Sequence, residues 1–264
     1  MIPLKREVKR GLQGLARLNP IGRAGRRAEA EEARALQQSL LPETIPQLDG
    51  FAIACAWRPS SEVSGDYFDV FALNDDQMAL CVADVSGKGM SAASLMRDLR
   101  EAVRASAPGA GSPAELCTQV NQILCSKIGT GKYVTMFYGV IDRRTRRLQY
   151  ENAGHCLPLL VRAGGAVEFP ASFSGVLGLF SHWLYTSQEV LLAEGDKLLL
   201  VTDGILAAEG RRGEEFGYQR LIALVNSSDH RGPEPLSRSV LDAVAQYCNQ
   251  KLRDDASLIV VAAQ

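Results

Sequence analysis

The chain has 264 residues, 46% of them hydrophobic and 22% charged, with a formal net charge of −1, enough apolar material for one large soluble domain plus a terminal appendage. No apolar run approaches the ~18 residues of a membrane span and the N-terminus lacks the apolar core of a signal peptide, which argues against spanning and secreted classes. The six cysteines (Cys55, Cys81, Cys117, Cys125, Cys156 and Cys248) show no CxxC spacing, and several sit in apolar runs, as expected of buried thiols in a reducing cytoplasm.

The charge is unevenly spread. Residues 1–27 carry eight basic side chains against Glu7, a local balance of +7, and the remainder carries −8. Leu4, Val8, Leu12 and Leu15 recur at near-helical spacing in that basic tail, which would permit docking on an anionic membrane surface or an acidic partner; the alternative is a solvated tail. The sequence "RAEAEEARALQQSLLP" then predicts a helix from Ala28 to Leu41, with Ala33, Leu36 and Leu40 on one face and Pro42 as its stop. Such a helix can pack on its own domain or pair with a partner's copy.

The body opens with strand-like segments. "FAIACAW" is followed by "DYFDVFAL" and "QMALCVAD", the last two joined by the polar turn Asn74 to Asp76, which makes a β-hairpin. With its centre near Asp75, facing residues have numbers that sum to about 150, so Asp66 lies beside Asp84. Helical periodicity covers Met90 to Ser106, and Ser112 with Pro113 opens a second helix. Four strand candidates follow, "YVTMFYGVID", "RRLQYENA", "LPLLVRA" and "AVEFP". Next come "DKLLLVTDG", read as a strand ending at Asp203, helices over Tyr218 to Asn226 and Pro235 to Lys251, and the closing strand "ASLIVVAA". Strand runs interleaved with helix pairs predict layered sheets flanked by helices.

Four carboxylate positions fall at strand ends. Asp66 precedes a strand, Asp84 and Asp203 end one, and Asp254 with Asp255 precedes another. In antiparallel sheets these ends share a rim, where like charges repel unless cations neutralise them. An all-oxygen set suits hard divalent ions such as magnesium or manganese. Two such ions about 4 Å apart would activate a water for in-line attack on phosphorus. Taken singly, each aspartate is equally a turn or cap residue. Nothing in the sequence points to nucleic acid.

The blocks "SEVSGDYFDVF", "ADVSGKGMSAASLM", "NAGHCLPLL", "LLVTDGILAAEGRRGEEFG" and "DDASLIVV" resemble, in order and spacing, those of the bacterial SpoIIE/RsbU-like serine phosphatases of the metal-dependent type 2C superfamily, over roughly Gln38 to Val261. The resemblance implies an α+β fold, a four-layer α-β-β-α sandwich of two antiparallel sheets, in a phosphatase domain spanning 43–264. It also implies a two-ion Mn2+ or Mg2+ centre and phosphoserine or phosphothreonine substrates, typically STAS-type anti-sigma factor antagonists. By motif, Asp66, Asp84 with the Val85 carbonyl, Asp203 and Asp254 become metal ligands. Asp84 and Asp203 are the catalytic pair, and Asp255 orients the site.

Three departures or dismissals qualify this. Lys88 stands where many members carry histidine and receives no proton-transfer role, and Ser86 replaces the histidine of the eukaryotic branch, so no general acid is identified. His155 is either near the substrate or structural. "GTGKYVT" fails as a nucleotide loop because Tyr133 follows Lys132 and position 126 is serine. Gly87 and Gly89 are read as turning strand into helix.

About 40 residues precede the domain, fewer than a sensor domain needs. Regulation is therefore expected through the 28–42 helix and the 1–27 tail, by a separate protein or by self-association. Two other readings stand beside the enzyme: a catalytically weak phosphatase-fold module that sequesters a phosphoprotein or anti-sigma partner, and a membrane-surface scaffold acting through the tail.

Overall fold

The structure is a computed structural model that describes residues 23–60, 65–129, 131–170, 174–227 and 232–264; of residues 23–30 it describes the backbone alone. The tail leucines and Val8 lie outside the described residues. In chain order the elements are α1 (Arg23–Leu40), β1 (Phe51–Arg58), β2 (Tyr67–Ala72), β3 (Gln77–Val85), α2 (Met90–Ser106), α3 (Pro113–Lys127), β4 (Val134–Asp142) and β5 (Arg147–Ala153). They continue with β6 (Leu159–Val161), β7 (Val167–Glu168), β8 (Gln188–Leu191), β9 (Lys197–Val201), α4 (Asp203–Leu206), α5 (Gly217–Ser227), α6 (Pro233–Tyr247) and β10 (Ala256–Ala263).

The strands form two antiparallel sheets, β1-β10-β9-β6-β7 and β2-β3-β4-β5-β8. Alternation along β3 shows why they stack. Met78, Leu80 and Val82 join Phe68, Phe137, Leu200 and Ile259 in the layer between the sheets. Ala79, Cys81, Ala83 and Val85 turn the other way, against Leu99, Leu116 and Val120 of α2 and α3. Two-residue alternation thus gives one strand two buried faces. On the far side, Leu199, Val201, Leu258 and Val260 pack against Leu221, Leu236 and Val240 of α5 and α6, completing the four-layer sandwich.

The hairpin register matches the expected sum: Tyr67 faces Ala83 and Phe71 faces Ala79. Ser112 caps α3 by accepting from the Glu115 amide at 3.2 Å. Gly87 and Gly89 take φ of 112° and 70°, as the strand-to-helix turn requires. Several boundaries differ from expectation. The strand before Asp203 stops at Val201, because Asp203 opens the short helix α4 and its carbonyl accepts from the Ala207 amide. Helix α6 stops at Tyr247 rather than Lys251, because Asn249 and Gln250 adopt left-handed φ of 53° and 63°. Helix α1 runs from Arg23 to Leu40, not from Ala28 to Leu41.

Helix α1 lies on its own domain. Ala33, Gln37 and Leu40 are buried, and α1 packs along α2. Among the described residues no helix is long and apolar enough to cross a membrane. The six cysteines are free thiols.

Candidate metal centre

The site grows from the even-numbered face of the β2–β3 hairpin. Asp66 lies one step before β2 and Asp84 near the end of β3, in phase with Phe68, Leu80 and Val82, which point between the sheets. Both carboxylates therefore meet the opposite sheet at the mouth of the central layer. Two glycines permit the approach. A Cβ on Gly65 would lie 2.3 Å from the Val85 carbonyl oxygen, and a Cβ on Gly204 would lie 2.0 Å from the Asp255 carbonyl oxygen. The first seats Asp66 against the Asp84–Val85 step and the second seats Asp203 against Asp254 and Asp255.

Asp66 is buried and accepts from Thr202 Oγ1 at 2.8 Å and from Ser257 Oγ at 2.7 Å, both on the facing sheet. Burial, then the negative charge of Asp84, drives its pKa well above the usual carboxylate range against those two donors. Asp84 is pushed up to about 7 by burial first, then by Asp203, Asp254 and Asp255. Asp203 is raised by burial and by Asp254. The half-buried Cys156 thiol is pushed up to about 12 by desolvation first, then by Asp203, Asp66 and Asp84. These mutual effects place the sequence-nominated carboxylates in one electrostatic neighbourhood.

Among the described residues, no three His, Cys, Asp or Glu side chains are already gathered into a metal-binding group. None of Asp84, Asp203 and Asp254 pairs there with a lysine or arginine. The cluster thus consists of oxygen donors with unbalanced negative charge, a composition that fits hard divalent cations. Asp66, Asp84, the Val85 carbonyl, Asp203 and Asp254 could hold them.

Asp255 faces away into a saturated pocket. Its Oδ1 accepts from the Ser60 amide at 2.7 Å, and its Oδ2 accepts from Gln37 Nε2 at 2.8 Å and Trp57 Nε1 at 3.3 Å. Asp254 Oδ1 accepts from the Asp255 amide at 2.9 Å. His155 is buried; its amide donates to Asn152 Oδ1 at 2.7 Å and its Nδ1 lies 2.9 Å from Thr135 Oγ1. Thr135 faces Asp84 across the β3–β4 ladder, so His155 supports the strand beneath the site. Lys88 is exposed and its Nζ donates to the Arg253 carbonyl at 3.4 Å, tying the loop after β3 to the loop before β10. Thr202, Ser257 and Gln37 escape sequence reasoning. Thr202 carries a faint signal as a hydroxyl next to Asp203, Ser257 a fainter one two residues after Asp255, and Gln37 carries none.

The fold is that of PP2C-type phosphatase domains. The SiaA-PP2C domain of Pseudomonas aeruginosa matches with a TM-score of 0.78 at 22% identity, over 92% of this chain and 99% of that one. The structure of the RsbU and RsbW domains of Rv1364c from Mycobacterium tuberculosis matches with a TM-score of 0.73 at 27% identity, over 85% of this chain and 63% of that one. The Stage II sporulation protein E (SpoIIE) family model matches residues 74–264, and the chain belongs to the SpoIIE family. That match includes Asp84, Asp203 and Asp254 and begins after Asp66. Among curated relatives, Protein IcfG of Synechocystis sp. is 28% identical over 89% of this chain and 41% of its own length. Phosphoserine phosphatase RsbU of Bacillus subtilis is 26% identical over 89% of this chain and 70% of its own. The chain spans less than half of IcfG and about two-thirds of RsbU.

Proposed function

We propose that this chain is a metal-dependent serine/threonine protein phosphatase. The observation that supports the reading is the mutual repulsion of carboxylates carried by the two sheets: Asp84 acts on Asp66, and Asp203 and Asp254 act on Asp84. Asp66, Asp84, the Val85 carbonyl, Asp203 and Asp254 would hold two divalent cations, Mn2+ or Mg2+. Bound there, such ions supply a water ionised near neutral pH and charge to offset the phosphoryl oxygens.

The chain's own residues prepare that chemistry. Asp84 and Asp203 present the acidic pair on which the attacking water is positioned. Thr202 and Ser257 donate to Asp66, which favours its carboxylate form and opposes part of the effect of burial. Asp255, fixed by Ser60, Gln37 and Trp57, locks the backbone from which Asp254 projects.

The substrate class is phosphoserine or phosphothreonine on a regulatory protein. We assign a STAS-type anti-sigma factor antagonist from the motif resemblance, and the RsbU likeness supports phosphoserine. Regulation would enter through α1 and the basic tail, by a separate protein or a second copy. The seating of Gln37 on Asp255 supports that route. The domain division, a 1–27 tail, a 28–42 helix and the phosphatase domain from 43, belongs to the same proposal.

The test is hydrolysis of p-nitrophenyl phosphate and a phosphoserine peptide with manganese, with and without chelator, by the wild type and Asp84→Asn. Activity that chelator and the variant both abolish is expected. A wild type inactive with every divalent ion, yet binding a phosphoprotein, would favour the sequestering module instead.

A further inference from the structure

Five of the seven exposed large hydrophobic side chains among the described residues crowd into two adjoining stretches: Tyr133, and Leu179, Phe180, Trp183 and Leu184. Leu184 is 87% exposed and Phe180 60%. Single exposed apolar residues need no explanation, but a cluster of this kind marks a contact surface.

The cluster is built rather than left over. Buried Asn121 of α3 donates through Nδ2 to the Phe180 carbonyl at 2.8 Å and accepts the Gly178 amide on Oδ1 at 2.8 Å. The Trp183 amide donates to the Phe180 carbonyl at 3.1 Å, and the two rings lie 6.0 Å apart. The Trp183 indole rests on Gly175, where a Cβ would come within 2.7 Å of the ring. Holding aromatic side chains in water this way spends burial that the loop would otherwise gain, and preorganisation of that kind favours binding.

Its position says what it serves. Leu177 pairs with Val134 in an antiparallel bridge, and Val134 faces Val85 across the β3–β4 ladder. Ser86 and Tyr133 exchange hydrogen bonds of 2.8 and 2.9 Å. The apolar loop is therefore one strand removed from the Asp84–Val85 step. Residues 174–187 contain no lysine or arginine, the complement that an anionic membrane surface calls on.

We propose that Tyr133, Leu179, Phe180, Trp183 and Leu184 form the docking surface for the phosphoprotein substrate, engaging an apolar patch on the folded partner beside its phosphoserine. The proposal rests on the phosphatase reading. On this reading a small phosphate ester would reach the centre without touching the surface, whereas a folded substrate would cover it. Specificity for a folded protein would come from here and chemistry from the aspartates.

The experiment compares wild type, Phe180→Asp, Leu184→Asp and Trp183→Ala on p-nitrophenyl phosphate and on a serine-phosphorylated STAS-domain protein. Expected is a rise of about tenfold or more in KM for the phosphoprotein, with its kcat and the small-ester kinetics unchanged. An unchanged phosphoprotein KM in all three variants would overturn the proposal, as would equal loss on both substrates, which marks a structural role. Loss of self-association or of anionic-vesicle binding, with phosphoprotein kinetics intact, would also overturn it by giving the surface another occupant. A wild type inactive on both substrates would instead bring down the phosphatase reading itself.

Discussion

Gln37 of α1 donates to Asp255, 218 residues away, through a buried 2.8 Å hydrogen bond. The contact links the N-terminal helix to the residue preceding β10, next to Asp254. Gln37→Ala leaves one oxygen of a buried carboxylate short of a donor, and Gln37→Glu sets a second carboxylate against it. We expect the alanine variant to lose about 1–3 kcal/mol in urea denaturation, the glutamate variant to lose more, and both to need more manganese for half-maximal hydrolysis. Unaltered stability and manganese demand would show that α1 is not coupled to the centre.

The hydroxyls of Thr202 and Ser257 are expected to matter through Asp66. Thr202→Val also removes the acceptor of the Ser257 amide at 3.0 Å. Thr202→Val and Ser257→Ala should each weaken manganese binding by about tenfold or more, read by calorimetric titration, with little change in the circular dichroism spectrum.

Close backbone approach predicts sharp intolerance at two glycines. Gly65→Ala must displace the Val85 carbonyl and Gly204→Ala the Asp255 carbonyl. Each should cost about 2–4 kcal/mol in thermal or urea unfolding. Gly109→Ala, where a Cβ meets nothing within 4 Å, should stay within about 0.5 kcal/mol of wild type.

Burial lowers the His155 pKa from 6.5 to about 4, against a hydrogen bond with the Val201 backbone that acts the other way. The folded chain thus keeps His155 neutral where the unfolded chain protonates it. Its contribution is fully present above pH 6.5 and is lost as pH falls toward 4, by about 3 kcal/mol in total. The stability difference between wild type and His155→Gln should shrink by that order between pH 7 and pH 4. A flat difference would contradict the burial of a neutral imidazole.

What was legible in the sequence follows from locality. The polar turn Asn74 to Asp76 fixes the hairpin register, so the Asp66 and Asp84 pairing could be read from numbering alone. The alternation of β3 and the cap at Ser112 are equally local signals. The end of α6 was not legible, because the left-handed backbone of Asn249 and Gln250 is chosen by where the chain must turn back to β10. Neither was the helical start at Asp203, since an apolar run ending in Thr-Asp-Gly reads as a strand until the packing of Gly204 on Asp255 is known. Gln37 was invisible for a stronger reason: a polar residue on an amphipathic helix looks solvated unless its partner across 218 residues is known. The hydroxyl and amide groups that support the nominated carboxylates were not foreseen, because they act only through three-dimensional contact.

The most direct measurement of the central claim is calorimetric titration of metal-free protein with manganese, for wild type, Asp84→Asn and Asp203→Asn. Two ions bound per wild-type chain, with binding lost or greatly weakened in both variants, is the predicted result. Manganese binding by either variant that equals wild type would contradict the assignment of these aspartates to a shared metal centre.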